Sequence, residues 1–217
     1  MKLVFISDTH NLHNNFGRGG FDPVPNGDAI IHCGDITTHG TVEEVHEFLR
    51  WFGNLAIEYK IFVAGNHDKY LETIDMDTKV SLSDKYGIIY LEHSSINIDN
   101  INIYGHPYTP YHHGMAFNRS RGDEMEVESM KIPENIDILI THGPPKDILD
   151  EDEKEEKMGS ESLRKRVLEV NPKIHCFGHC HSAYGRTFAA GTTFINASNH
   201  TWLWKKIGYT PPQTMEI

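Results

Sequence analysis

Five short polar clusters hold the side chains of this chain that could do chemistry. They are Asp8-Thr9-His10, Gly34-Asp35, Gly65-Asn66-His67-Asp68, Thr141-His142-Gly143 and Gly178-His179-Cys180-His181. Carboxylate, imidazole and amide oxygen are the groups that hold divalent metals, and a mixed oxygen and nitrogen set without thiolate suits Mn²⁺, Fe or Zn²⁺. Asp8 and His10 stand two residues apart, as do His179 and His181. Alternate residues of an extended chain point the same way, so Asp8 and His10 are expected to reach one ion, and His179 and His181 to share one direction. Gly34 removes a Cβ where backbone must approach that ion, and Asn66 offers a ligand that adds no charge. Singly these motifs are weak, since Asp-x-His and Gly-Asp recur in ordinary turns. Gly-Asn-His-Asp after an apolar run is far more specific, and the five in this order point to a metal centre. Cys33 and Cys180, beside these residues, read as small buried hydrophobes rather than sulfur ligands.

The elements must bring these clusters together. Four of them follow apolar runs, Leu3–Ile6, Ala29–Ile31, Ile61–Ala64 and Ile136–Ile140. Val- and Ile-rich runs of this length predict buried strands, and function gathers at the carboxyl ends of such strands. Strands are expected at Lys2–Ile6, Ala29–His32, Lys60–Val63, Ile88–Leu91, Ser95–Ile98, Ile101–Tyr104, Ile136–Ile140, Ile174–Phe177 and Thr193–Asn196. Asp99-Asn100 marks a hairpin between two of them. Helices are expected at Val42–Phe52, opened by Thr41 and Glu44 in capping-box spacing, at Lys69–Ile74, and at Glu161–Val170, from Ser160 to Asn171-Pro172. Tyr104–Gly122, rich in Gly, Pro, His and aromatics, predicts a loop over the rim. Parallel units followed by a hairpin predict an α/β fold of two mixed sheets packed face to face with helices outside, in a single domain over 1–217.

Composition narrows the function classes. The formal charge of −11 argues against binding long nucleic acid, although it leaves room for a small anionic substrate. Much of the excess lies in Asp147–Glu156, seven acids against one lysine, which reads as a solvated face. There is no run of 18 apolar residues, hence no expected membrane span, and the N-terminus enters a strand without a signal-peptide pattern. Three cysteines cannot all pair and read as reduced thiols of a cytoplasmic protein. Among the 15 histidines, His46, His93, His112 and His113 fall in a predicted helix or in polar stretches, where exposed or core-satisfied roles are expected. For His112 and His113 the choice between substrate contact and solvent stays open.

Taken as a series, the five clusters resemble the calcineurin-like metallophosphoesterase superfamily, from near residue 1 to about 200. Phe117-Asn118, Arg121-Gly122, Gly143-Pro144-Pro145 and Asn196-Ala197-Ser198-Asn199 resemble its branch of metallophosphoesterase-domain-containing proteins related to cyclic-nucleotide phosphodiesterases. The resemblance implies a four-layer β-sandwich of two mixed sheets flanked by helices. It also implies two divalent metal ions, with Mn²⁺ favoured and Fe or Zn²⁺ fitting the same donors. Asp8, His10, Asp35 and His181 would hold the first, and Asp35, Asn66, His142 and His179 the second, with Asp35 bridging. His67 would be the general acid and Asp68 its orienting partner.

The implied chemistry is attack of a metal-bridging hydroxide on phosphorus, with His67 protonating the departing alkoxide. Two cations held by two carboxylates leave about +2 at the mouth, which attracts phosphate to an acidic protein. Arg121 and Asn118, in the rim loop with His106 and Tyr108, are the candidate substrate-binding residues, since a guanidinium fork fits phosphate. Tyr108, Tyr111 or Phe117 would either stack on a base or pack the loop down. The expected activity is hydrolysis of a small phosphodiester, with a cyclic nucleotide as one candidate. The same metals also serve a phosphomonoesterase or protein phosphatase. A non-catalytic metal-binding scaffold, like the retromer subunit that resembles this family, is the reading from another class, and retention of His67 speaks against it. A slow nucleotide binder is a third.

Overall fold

The apolar runs form strands because both of their faces are covered. The computed structural model describes residues 1–19, 21–203 and 206–217. In its first sheet β1 (Lys2–Ile6), β2 (Ala29–His32), β3 (Tyr59–Phe62) and β4 (Ile89–Tyr90) lie parallel in sequence order, and β15 (Gln213–Glu216) borders β1 antiparallel. The second sheet runs β11 (Gly185–Ala189), β12 (Thr192–Asn196), β10 (Ile174–Phe177), β9 (Ile138–Thr141), β6 (Ile101–His106), β5 (Ser94–Ile98). Its four inner strands are parallel and its two edges antiparallel. Two short ribbons, β7 (Thr109–Pro110) with β8 (Asn118–Arg119) and β13 (His200–Leu203) with β14 (Lys206–Tyr209), lie outside the sheets.

Strand pleating divides each run between two cores. Leu3, Phe5, Ile31, Ile61 and Val63 face Ile103, Ile138, Ile140, Ile174 and Ile195 of the other sheet. Val4, Ile6, Ile30 and Phe62 turn outward onto α1 (Val42–Gly53), meeting Val45, Phe48, Leu49 and Phe52 at helical spacing. On the far side Tyr104, Leu139, Phe177 and Phe194 meet Leu163 and Val167 of α5 (Glu161–Val170). Full burial of such side chains contributes roughly 1.5–3 kcal/mol each, so these three interfaces hold the four layers together. The expected α/β sandwich of two mixed sheets with flanking helices is the observed one. Both capping signals are realised: Thr41 and Glu44 close a reciprocal box, and the Ser160 hydroxyl accepts from the Leu163 amide.

Elements with a polar buried face were not anticipated. The short α2 (Lys69–Thr73) was expected, but α3 (Met76–Asp84) buries Lys79 and Ser83, and α4 (Asp123–Met130) buries Met125, Glu128 and Ser129. The expected rim loop contains the end of β6 as well as β7 and β8. No helix among the described residues is long and apolar enough to cross a membrane.

Candidate metal centre

All five clusters lie at carboxyl ends of parallel strands. Asp8 and His10 follow β1, Asp35 follows β2, Asn66 and His67 follow β3, His142 follows β9, and His179 and His181 follow β10. Four of the seven expected ligands therefore come from the first sheet and three from the second. Backbone bonds tie the loops: the Asp8 amide donates to the Gly34 carbonyl at 2.9 Å, the His10 amide to Asp35 at 3.1 Å, and the Gly178 amide to His142 at 3.0 Å.

The paired ligands do not converge as an extended chain would bring them. Asp8, His10, Asp35 and His179 have φ of 53°, 40°, 54° and 67°. This left-handed conformation costs non-glycine residues on the order of 1 kcal/mol or more each, strain of the kind that gathers at functional sites. The coil sends His179 and His181 to different neighbours. The His179 ring lies 5.0 Å from that of His142, while His181 Nε2 faces Asp8 Oδ1 at 3.3 Å. Gly34 makes room for the His142 ring, which a Cβ would strike, and a Cβ on Gly65 would overlap the Asp35 carboxylate.

Asp35 is the hub. Its carboxylate lies 3.4 Å from His142 Nε2, 3.7 Å from His10 Nε2 and 3.9 Å from His67 Nε2, and it accepts the His67 amide at 2.8 Å. Donor atoms of Asp8, His10 and His181, of His10, Asp35 and His67, and of Asp8, Asp35 and His142 each fall within 4.8 Å of one another.

The rings are fixed so that their lone pairs face inward. His10 Nδ1 donates to the Thr37 carbonyl at 3.0 Å and His142 Nδ1 to the Cys33 carbonyl at 2.9 Å. These backbone acceptors select the tautomer whose Nε2 is free to ligate. His142 Nε2 then meets Asn66 Oδ1 at 2.8 Å, and His10 Nε2 meets His181 Nε2 at 3.4 Å. Acceptors facing acceptors need a proton or a cation between them. Without metal, protons do this work. His142 is pushed up to about 9 although burial opposes it, because Asp35 and Asp8 favour the charged ring. His181 is raised by Asp8 against the same burial penalty. Asp35 and Asp8 fall well below the usual carboxylate range, since burial is outweighed by His142 in one case and His181 in the other. Burial is the main cause holding His10 down at about 4 and His179 at about 3, so both stay neutral. Two neutral imidazoles, two that would give up a proton to bind metal, two ionised carboxylates and an amide oxygen make a set that fits divalent cations.

Three of the sequence-derived site residues have other partners than the sequence suggested. Asp68 does not touch the His67 ring. Its buried carboxylate accepts from the amides of Gly65, Ile36 and Thr37 and from the Thr37 hydroxyl, fastening the loop after β3 to the loop after β2. The His67 ring is turned by the Thr38 carbonyl, 2.8 Å from Nδ1. Arg121 is spent on the carbonyls of Met158 and Gly159 and the carboxylate of Glu161. Asn118 accepts from the amides of His112 and Met115 and donates to Thr109 and Ala116. Both residues shape loops rather than presenting free groups to the cleft. Of the candidate aromatics, Phe117 is buried, and Tyr108 bonds Glu92 with Arg119 over its ring; Tyr111 is exposed. His106 is buried too.

One neighbour of the site, His200, was missed, and another, His112, was left open. The His200 ring lies 5.6 Å from that of His10 and 5.7 Å from that of His181. It lies just beyond the carboxyl end of β12, a sixth strand end whose polar segment could have been read as the other five were. His112 lines the open cleft of about 200 Å³ above Asp35, Asn66 and His67, with Met115, Asp152 and Glu153 on its walls. Cys33 and Cys180 are buried free thiols, as expected.

Comparison with known proteins agrees with this arrangement. The sequence model described as calcineurin-like phosphoesterase matches residues 1–183. The chain is 34% identical over 240 positions to the human protein named metallophosphoesterase domain-containing protein 1, a match taking in 100% of this chain and 71% of that one. A Caenorhabditis elegans relative, UPF0046 protein K07C11.7, is 35% identical over 91% of this chain and 69% of its own length. Among solved structures, a phosphopantetheinyl hydrolase from Mycobacterium tuberculosis superposes with a TM-score of 0.64 at 17% identity, covering 96% of this chain and 89% of that one, a likeness of fold.

Proposed function

The chain belongs to the calcineurin-like phosphoesterase family, and from that premise we propose that it hydrolyses small phosphodiesters, cyclic nucleotides among them, with two divalent cations. Family and donor clusters together support a metal-dependent phosphoester hydrolase. The observation that supports a two-cation centre is the convergence of His10, His67 and His142 on the single carboxylate of Asp35.

In this reading Asp8, His10, Asp35 and His181 hold one ion and Asp35, Asn66, His142 and His179 the other, Mn²⁺ being the favoured metal. Bound divalent cations supply Lewis acidity toward phosphoryl oxygens and an activated water. The chain's own groups do the rest. The Thr38 carbonyl holds Nδ1 of His67, leaving Nε2 toward Asp35 and the cleft. Protonated there, Nε2 delivers its proton to the departing alkoxide, a poor leaving group that needs one. Asp68 serves this step from a distance, by clamping the two loops that carry Asp35 and His67. The cleft suits a small ester rather than a polymer, and Asp152 and Glu153 on its wall repel further phosphates. The whole chain acts as one domain in this reading, and its buried thiols fit a reducing cytoplasm.

The test is hydrolysis of bis-p-nitrophenyl phosphate, p-nitrophenyl phosphate and 2′,3′- and 3′,5′-cyclic nucleotides, with Mn²⁺ and with chelator. Metal-dependent turnover of the diesters above the monoester is expected. Preference for the monoester would replace the diesterase reading with a phosphatase. No turnover of any of them with metal bound would leave a binder or scaffold.

A further inference from the structure

We propose that His112 is the residue that grips the phosphoryl group of the substrate on the side away from the metals. The proposal rests on the phosphoesterase reading above. Among the described residues, no lysine or arginine lines the cleft. A phosphoryl oxygen turned away from the cations must therefore find its hydrogen bond among the remaining lining groups. Asp152 and Glu153 are carboxylates and cannot donate when ionised, and Met115 and Met158 carry no donor at all. The Asn66 amide nitrogen is turned onto Met115 Sδ at 3.1 Å. Cys180 is a weak donor. His179 and His181 belong to the ligand sets. That leaves two imidazoles, and His67 is reserved for the leaving group.

The setting of His112 fits such a role. Its backbone, not its ring, is anchored: the amide donates to Asn118 Oδ1 at 2.9 Å, and the Met115 amide donates to the same oxygen at 3.2 Å and to the His112 carbonyl at 3.3 Å. A carboxamide thus closes the turn from 112 to 115 and fixes where the ring stands. The ring itself makes no hydrogen bond to protein among the described residues. It packs edge-on against His113, at 4.2 Å between centroids, and lies 6.4 Å from the His179 ring. An unengaged N–H on a ring whose backbone is anchored, lining a cleft built around metal donors, is what a phosphate oxygen can use. Asn118 thereby becomes a positioning residue, acting on the substrate through His112.

The experiment compares wild type, His112→Ala and His112→Gln, all loaded with Mn²⁺. Metal content is measured by elemental analysis, inorganic phosphate affinity by calorimetry, and KM and kcat on bis-p-nitrophenyl phosphate. The Ala variant is expected to keep its metal, to bind phosphate about tenfold more weakly and to show a KM about tenfold higher, with kcat changed much less, as for a lost hydrogen bond to a charged group. The Gln variant, which keeps an N–H donor, should recover part of the loss. Phosphate affinity and KM unchanged in His112→Ala would overturn the proposal. So would loss of metal, which would make His112 a ligand. A wild type that binds metal but neither phosphate nor ester would overturn the phosphoesterase reading and this proposal together.

Discussion

A carboxylate buried as deeply as Asp35, 2% exposed, survives only because several groups favour its charge. Its two oxygens face imidazoles from both sheets. Replacement by alanine should therefore cost both ions, and two metal equivalents retained by Asp35→Ala would contradict the bridging role. His67 differs, with its side chain one-third exposed and its ring hydrogen-bonded to a backbone carbonyl. His67→Ala should keep both metals and lose about 10²–10⁴ in turnover on esters with poor leaving groups. Equal rates for variant and wild type would remove the proton-donor role. At this scale the sequence was informative about residue type and poor about partner. Asp68 follows His67 directly, which suggested a contact. The chain instead turns so that the carboxylate meets three amides and a hydroxyl of neighbouring loops. Partners across loops leave no trace in spacing.

At the scale of elements, hydrophobic period decides what is legible. α1 buries Val45, Phe48, Leu49 and Phe52 and could be read from its pattern and its cap. α3 and α4 could not, because ion pairs stand where apolar side chains would. Lys79 meets Glu92 at 2.9 Å, and Glu128 meets His93 at 2.7 Å and Arg119 at 2.9 Å. β15 starts beside two prolines and carries polar residues, so only its neighbour β1 makes it a strand. The rim loop is pinned in the same way, by side chains bonding backbone. Arg121 fastens the segment 158–161, so Arg121→Ala should lower the melting temperature by a few degrees, typical of about 1 kcal/mol in a chain of this size. KM for a diester should stay within about twofold. A tenfold rise in KM with an unchanged melting temperature would restore Arg121 to substrate binding.

The whole molecule carries an acid sensitivity that no single element explains. His13, His32 and His175 are fully buried, and burial is the main cause holding their rings at about 4, about 3 and about 3. Unfolding lets each take up a proton once the pH falls below the ordinary histidine value of about 6.5. The unfolded state then binds more protons, so stability is complete above that value and falls as the pH drops toward 4. At pH 5 each ring costs roughly 2 kcal/mol, and three of them approach the net stability of an ordinary domain. Circular dichroism against pH should show cooperative loss of structure near pH 5, in metal-loaded wild type and in Asp35→Ala alike. A flat signal between pH 7 and 4 in both would refute this. Because both sheets supply donors, the ions can be held only while the two sheets are in register. Bound metal is thus a gauge of the sandwich itself: a small shear between layers, from trimming Ile138 or Ile140 in the shared core, should release the ions well before the strands separate.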